Sequence, residues 1–584
     1  MEKSNRSLIE LPSLPVPKLE DTLQKYLRTV KPFLSENEFV NTTNLGLLED
    51  RASKRKSWLE EWWLNTAYLE YRDPVVVYSS PGLVFPLRDF SNQNEQLSYA
   101  AKTLLAAMEY KSLIDNDKIP LEMMGKSPLD MSQYKKIFGT CRLPIKNRDA
   151  LSYNSKSKYV TVMHNNHIFH LDLWGEDGVM LNENQIVQQL QKIIDKSKNQ
   201  VNNSIGILTS ENRDNWAKAY EILAKGTQAL ETIYTHIEKS LAILCLDAPV
   251  DLKRYSNDDA RRNVAAAQTI HGGGSPSNGG NRWFDKTIQF IVGADGITGL
   301  TYEHSPAEGQ PIASSATTSA TLKEPVLLKF NVNNEVAGLI KNAADNLDKL
   351  VDNLDLNCFQ YNRYGKNFIK SHKLSPDSYL QMAMQYAFFR LHKTPGAHYE
   401  SAATRMYAGG RTETIRSCSI ESIDFAKTML NSSSNNKDKL LSLQKAIKGH
   451  KDYTALQGFG VDRHLLGLKL IALENGIELP KLYSDPGYTR SANMRISTSQ
   501  VACKCDGFMC YGPLVADGYA TCYNPRDNDV NFATSAFNSN QDSSTNQYRK
   551  ALEDSLQDMH DLLLCLHAVP CVCKSVAILS VLIC

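Results

Sequence analysis

The chain has 584 residues, 65 Lys and Arg against 64 Asp and Glu for a net charge of +1, and is 42% hydrophobic and 22% charged. Such a composition is globular, the length prior allows roughly two to four domains, and charge balance leaves no general field for nucleic acid or an anionic membrane. Twelve cysteines and no apolar core in the first ten residues argue against a secreted disulfide scaffold and for reduced thiols inside a cell.

Leu11 to Pro17 reads as a stiff extended arm, because Pro12, Pro15 and Pro17 fix φ and bias their predecessors away from helix. Amphipathic helices are expected over Leu19–Leu34, Leu47–Tyr68 and Asn94–Tyr110. Within the second, Trp62, Trp63 and Tyr68 at helical spacing read as core aromatics. Pro74–Tyr78 and the alternating Tyr159–Leu173 read as strands, Glu183–Ser197 and Asn212–Leu246 as helices, and this alternation predicts an α/β layered architecture. His164, His167 and His170 would scatter over both faces of a strand, so they read as exposed histidines and not as a metal site. His271-Gly272-Gly273-Gly274 lacks the Lys-Ser/Thr of a phosphate loop and reads as a tight turn.

The centre of the chain is Thr287–Gly309, where apolar alternation enters and leaves a reversal at Asp295-Gly296, a strong hairpin signal. The hairpin ends in His304, and Pro306 stops its ladder from continuing. A histidine at the mouth of a sheet can take a proton from an alcohol or thiol if a partner fixes its ring, and Glu308 is four residues away. Alone, the pair also reads as a turn histidine beside a solvated glutamate.

Gln310–Lys323 is small and polar, and a helix is expected over Asn334–Leu356. Lys366 and Lys370 alone read as a solvated helix face, Tyr379–Leu391 as a buried helix, Arg463 as a helix-surface arginine, and Ser497–Gln500 as a polar turn entering a strand over Val501–Cys505. Cys503, Cys505, Cys510 and Cys522 lack the paired loop knuckles of a zinc ribbon. Beyond Leu563 the apolar run is interrupted by Pro570 and Lys574, too early for a spanning helix of ~20 residues, and reads as a divergent tail over 564–584.

Tyr302-Glu303-His304 with Ala307-Glu308-Gly309, preceded by His271-Gly272-Gly273-Gly274 and by Asn281-Arg282-Trp283-Phe284-Asp285-Lys286, resembles the carnitine/choline acyltransferase family, and similar stretches run from about Leu11 to about Leu563. The resemblance implies a two-domain α/β fold like that of chloramphenicol acetyltransferase, with mixed sheets flanked by helices and an active-site tunnel at the domain interface. Its N-terminal domain would span 51–332, and its discontinuous second domain 10–50 with 333–563. It implies reversible acetyl transfer between coenzyme A and the 3-hydroxyl of L-carnitine without an acyl-enzyme, in a monomer that uses no cofactor or metal and binds no nucleic acid. A mitochondrial or peroxisomal address follows from the family alone, since no targeting signal is read.

By the same resemblance His304 is the general base, with Glu308 as its partner, and Ser499 donates to the oxyanion. Trp63, Tyr68, Tyr399, Thr412, Arg463 and Ser497 bind carnitine, whose ammonium suits an aromatic ring. Lys366, Lys370, Asp377 and Gln500 bind coenzyme A. Met509 closes the acyl pocket to acetyl size. Thr412 and Arg463 favour carnitine over choline, which has no carboxylate to satisfy. Two alternatives stay open: a member with another acyl or acceptor preference, and a non-catalytic protein that keeps the fold.

Overall fold

A computed structural model of the chain describes residues 10–33, 51, 53–55, 57–225, 231–308, 323–454, 460–500 and 506–565. The first half supplies β1 (Gly82–Val84), β2 (Tyr159–His164), β3 (His167–Asp172), β4 (Ile243–Asp247), β5 (Ile288–Gly293), β6 (Thr298–Tyr302) and β7 (Val326–Leu328). The second supplies β8 (Leu354–Tyr361), β9 (His398–Ala403), β10 (Thr412–Arg416), β11 (Ile496–Gln500), β12 (Phe508–Cys510), β13 (Tyr519–Pro525) and β14 (Val530–Phe537). They form two sheets, ordered β7-β3-β2-β4-β5-β6-β1-β12 and β8-β14-β13-β11-β9-β10.

Both sheets are mixed. β2, β4 and β5 run parallel at the centre of the first, and β9, β11 and β13 at the centre of the second. Every residue of β4 and β5 is buried, as expected of strands covered on both faces. β12 crosses from the second half into the first sheet and pairs Met509 with Leu83. That crossing brings Met509 to the neighbourhood of the hairpin that ends at His304.

The helices used below are α1 (Leu19–Val30), α2 (Gln93–Asp115), α3 (Glu183–Lys196), α4 (Arg213–Ala224), α5 (Asp258–His271), α6 (Asn334–Asn353), α7 (Lys366–Ser371), α8 (Pro376–His392), α9 (Asn436–Thr454), α10 (Asp462–Glu474) and α11 (Thr545–Cys565). Their starts follow local chemistry. Asn182 and Gln185 form a capping box on α3, and Ser375 caps α8 with Pro376 just inside. α5 ends where Gly272 adopts φ 67°, a conformation that favours glycine. A Cβ on Gly272 would also meet the Asn278 backbone at 2.6 Å, so the glycine run is a tight turn. α5 packs on β1 and β6, and α8 with α11 covers the second sheet.

Several local expectations are corrected. Pro74–Tyr78 is not a strand but a distorted helical turn over Val75–Tyr78, with Val77 at φ 70°. Asn212–Leu246 is not one helix, for α4 ends at Ala224 and the segment finishes as β4. The apolar run Leu241–Leu246 is buried on all sides, where periodicity cannot separate helix from strand. The expected helix ending at Tyr68 is helical over Glu60–Leu64 and continues as a π-turn to Leu69. α6 stops at Asn353 and yields to β8.

His164, His167 and His170 are half-buried and not exposed. The first two face each other across a hairpin, and the third stacks on Tyr159 and lies 3.0 Å from the His236 ring. Cys510 and Cys522 are buried free thiols. Cys503, Cys505, the strand expected over Val501–Cys505, residues 310–322 and the tail from 566 lie outside the described residues. No helix among the described residues is long and apolar enough to cross a membrane.

Candidate active site

The reversal that delivers His304 is held by its own sequence. Gly296 adopts φ 87°, and Asp295 accepts from the backbone N–H of Ile297 at 2.9 Å and of Val250 at 2.6 Å. β6 then runs beside β5 to Tyr302, and Glu303 donates its backbone N–H to Thr287 at 3.1 Å before the chain leaves the sheet. His304 emerges partly accessible, its side chain 20% exposed.

Its two ring nitrogens meet different partners. Nδ1 lies 2.8 Å from the Tyr68 hydroxyl and Nε2 lies 3.3 Å from Glu308 Oε2. Tyr68 and Tyr302 stack on the two sides of the ring, with centroids 5.4 and 5.5 Å away. The Glu308 carboxylate favours the proton on Nε2, which puts the basic lone pair on Nδ1, where the Tyr68 hydroxyl donates in this structure. Burial lowers the His304 pKa below 6.5, opposed by Glu308, so the imidazole is neutral at physiological pH. Burial also raises the Tyr68 pKa, which keeps its phenol a donor.

Glu308 is fixed in turn by Arg411, whose Nε donates to Oε1 at 2.6 Å. The other guanidinium nitrogens donate to the backbone oxygens of Ser305 at 2.7 Å and His304 at 3.0 Å. Burial would raise the Glu308 pKa, but Arg411 and His304 outweigh it and hold the carboxyl ionised. A second arginine sits behind the ring. Buried Arg142 donates to Tyr68 O at 2.6 Å, to Glu303 Oε1 at 3.2 Å and to Asp149 Oδ2 at 2.6 Å. It thereby ties the tyrosine on one side of His304 to the residue that precedes it.

The facing wall comes from the second half of the chain. Arg463 is 6% exposed and not a surface arginine. Its Nε donates to Thr412 O at 3.0 Å, and its terminal nitrogens donate to Thr414 Oγ1 at 3.2 Å and Thr412 Oγ1 at 3.5 Å. The guanidinium also lies 3.5 Å over the Trp63 ring, so Arg463 already covers one face of that indole. Tyr399 faces Arg463 from β9, in register with Ser497 on β11. Ser497 Oγ lies 3.0 Å from the Tyr511 hydroxyl. Ser499, two residues on, is half-buried on β11. Met509 is buried, and its sulfur accepts from the Tyr302 hydroxyl at 3.3 Å.

The four residues expected to hold coenzyme A are less uniform. Lys370 and Gln500 are exposed, and Lys366 pairs with Asp527 at 3.1 Å on the surface of α7. Asp377 turns inward instead, accepting from the Tyr523 hydroxyl at 2.6 Å. Together with Glu400 and His450 it forms the one cluster of three or more His, Cys, Asp or Glu side chains among the described residues whose nitrogen and oxygen atoms all lie within 4.8 Å of one another. Its pKa is raised by burial and by Glu400. The His450 ring lies 2.7 Å from Glu400 and 3.0 Å from Ser378, so these groups bind one another.

Arg411, Arg142, Tyr511 and the Tyr302 hydroxyl were not singled out from the sequence. Arg411 stands immediately before Thr412, yet its partners are more than 100 positions away in the chain, and no local pattern announces such a contact.

A family model described as Choline/Carnitine o-acyltransferase matches residues 14–554. A carnitine O-acetyltransferase from Columba livia is 44% identical over 95% of this chain and 93% of its own length. One from Homo sapiens is 42% identical over the same shares. A choline O-acetyltransferase from Sus scrofa is 35% identical over 94% of this chain and 92% of its own.

Proposed function

Because the chain belongs to the choline/carnitine O-acyltransferase family, we propose that it moves an acetyl or other short acyl group reversibly between coenzyme A and the 3-hydroxyl of L-carnitine. In this reading His304 takes the hydroxyl proton, and the oxygen attacks the thioester carbon directly. Ser499 donates to the developing oxyanion, an interaction worth ~10²–10³ in rate elsewhere. Collapse breaks the carbon–sulfur bond, and the proton passes from the imidazolium to the departing thiolate. No acyl-enzyme intervenes.

The observation that carries the choice of acceptor is Arg463. Its guanidinium is buried and hydrogen-bonded only to neutral oxygens among the described residues, which suits it to the carboxylate that carnitine has and choline lacks. Tyr399, Thr412 and Ser497 add hydroxyls to the same region. Met509, braced by Tyr302, supports a pocket of acetyl size. Lys366, Lys370 and Gln500 are open to solvent, as contact with a coenzyme phosphate and its adenosine requires, whereas Asp377 is turned toward Tyr523 inside the protein.

Release of free thiol from acetyl-CoA on adding L-carnitine tests the reading. Rapid release with carnitine, and much slower release with choline or with octanoyl-CoA, is the expected result. Preference for choline would overturn the acceptor, and preference for octanoyl-CoA would overturn the acyl size.

A further inference from the structure

The wall that carries Arg463 contains a buried carboxyl to which the reading above gives no role. Glu413 lies on β10 between Thr412 and Thr414 and is 4% exposed. Its Oε1 accepts from the backbone N–H of Thr414 at 2.7 Å and from that of Arg463 at 3.4 Å. The second donor lies in the first turn of α10, where orphan N–H groups need an acceptor. The N-cap residue of α10 is Val461, which makes no side-chain cap. Glu413 thus supplies from a neighbouring strand the cap that the helix lacks.

Gly460 makes the approach possible. A Cβ there would stand 2.3 Å from both Cγ and Cδ of Glu413. β10 consequently fixes Arg463 at both ends: Glu413 holds its backbone, while Thr412 and Thr414 hold its guanidinium. The charged groups that bear on the carboxyl are Arg463 and Asp462, both of α10. Burial raises its pKa to about 7, opposed by Arg463, so an uncharged acceptor is suited to the same place.

We propose that Glu413 is a positioning residue for the acceptor's carboxylate, capping α10 so that Arg463 meets that carboxylate from a fixed place. The inference rests on L-carnitine being the acceptor. Three variants of the full chain test it: Glu413→Ala removes the cap, Glu413→Gln keeps an acceptor oxygen, and Gly460→Ala pushes the side chain away. Steady-state thiol release gives kcat and both KM values, and calorimetric titration of L-carnitine gives a Kd independent of turnover.

Glu413→Ala should raise KM and Kd for L-carnitine by ~5- to 30-fold, the range expected for a lost cap or an orphaned donor. KM for acetyl-CoA should stay within twofold. Gly460→Ala should move the same constants in the same direction, and Glu413→Gln should rescue most of the loss. Unchanged carnitine constants in Glu413→Ala, a Gln variant as impaired as the Ala variant, or parallel loss of acetyl-CoA affinity would each overturn the proposal. A wild-type chain that ignores carnitine would instead overturn the acceptor reading itself, and that is seen before any variant is made.

Discussion

Arg411 and Arg463 approach the same strand end, the first with its side chain 10% exposed and the second buried, yet their surroundings differ in kind. Arg411 has a carboxylate at 2.6 Å and two backbone oxygens, so its charge is answered within the protein. Arg463 is hydrogen-bonded by a carbonyl and the hydroxyls of Thr412, Thr414 and Tyr399 and faces an aromatic ring, with the carboxyls of Glu413 and Asp462 nearby. A guanidinium paired to a protein carboxylate orients its neighbours, whereas one held by neutral groups keeps its charge for a ligand. On this division Arg411 serves the imidazole through Glu308, and Arg463 serves the acceptor.

The largest effect is expected at His304. His304→Ala should lower kcat by ~10²–10⁴-fold, the usual worth of a general base, with the thermal transition unchanged by circular dichroism. Arg411→Met should leave the half-buried Glu308 with only His304 as a charged partner, at a cost of ~1–3 kcal/mol. A lowered melting temperature and a lowered kcat should appear together, with KM for carnitine changing far less. If KM alone rose, the assignment of Arg411 to the imidazole would be wrong.

The pH profile sharpens the same contrast. The base works as neutral imidazole, and burial places its pKa below 6.5. Activity should therefore hold as pH falls through 7 and be lost only below 6.5, as the ring protonates. Glu308→Gln removes the carboxylate that opposes the shift, so the acidic limb of kcat/KM should move lower still. A limb above pH 7 in the wild type would contradict the geometry. The smallest effect is expected on the coenzyme side. Lys366 is 36% exposed and paired to an exposed Asp527, so Lys366→Ala should cost ~0.2–1 kcal/mol in acetyl-CoA affinity. That loss should shrink as salt is added.

Elements with a local signature were legible in the sequence. Asp295-Gly296 announced its hairpin, and the helix read over Asn94–Tyr110 lies inside α2. β4 was not legible, because a strand buried on both faces has no alternation to show. Val75–Val77 carries strand-forming residues, but tertiary packing bends them into a turn. The site divides the same way. The His304 and Glu308 spacing is local, so their contact could be expected four residues apart. Arg142 and Arg411 reach Tyr68, Glu303 and Glu308 across long stretches of chain, and such contacts exist only once the sheets have formed. The stacking of Arg463 on Trp63 is of this second kind, joining residues 400 positions apart.

The measurement that bears most directly on the division between the two arginines is acceptor discrimination by the wild type and Arg463→Asn, read as thiol release from acetyl-CoA with L-carnitine and with choline. The wild type should prefer carnitine. The variant should lose ~2–4 kcal/mol of that preference, as expected when a buried charge loses its ionic partner, through a higher KM for carnitine and with kcat largely retained. A variant that discriminates as the wild type does, or that loses kcat with both acceptors alike, would contradict the account.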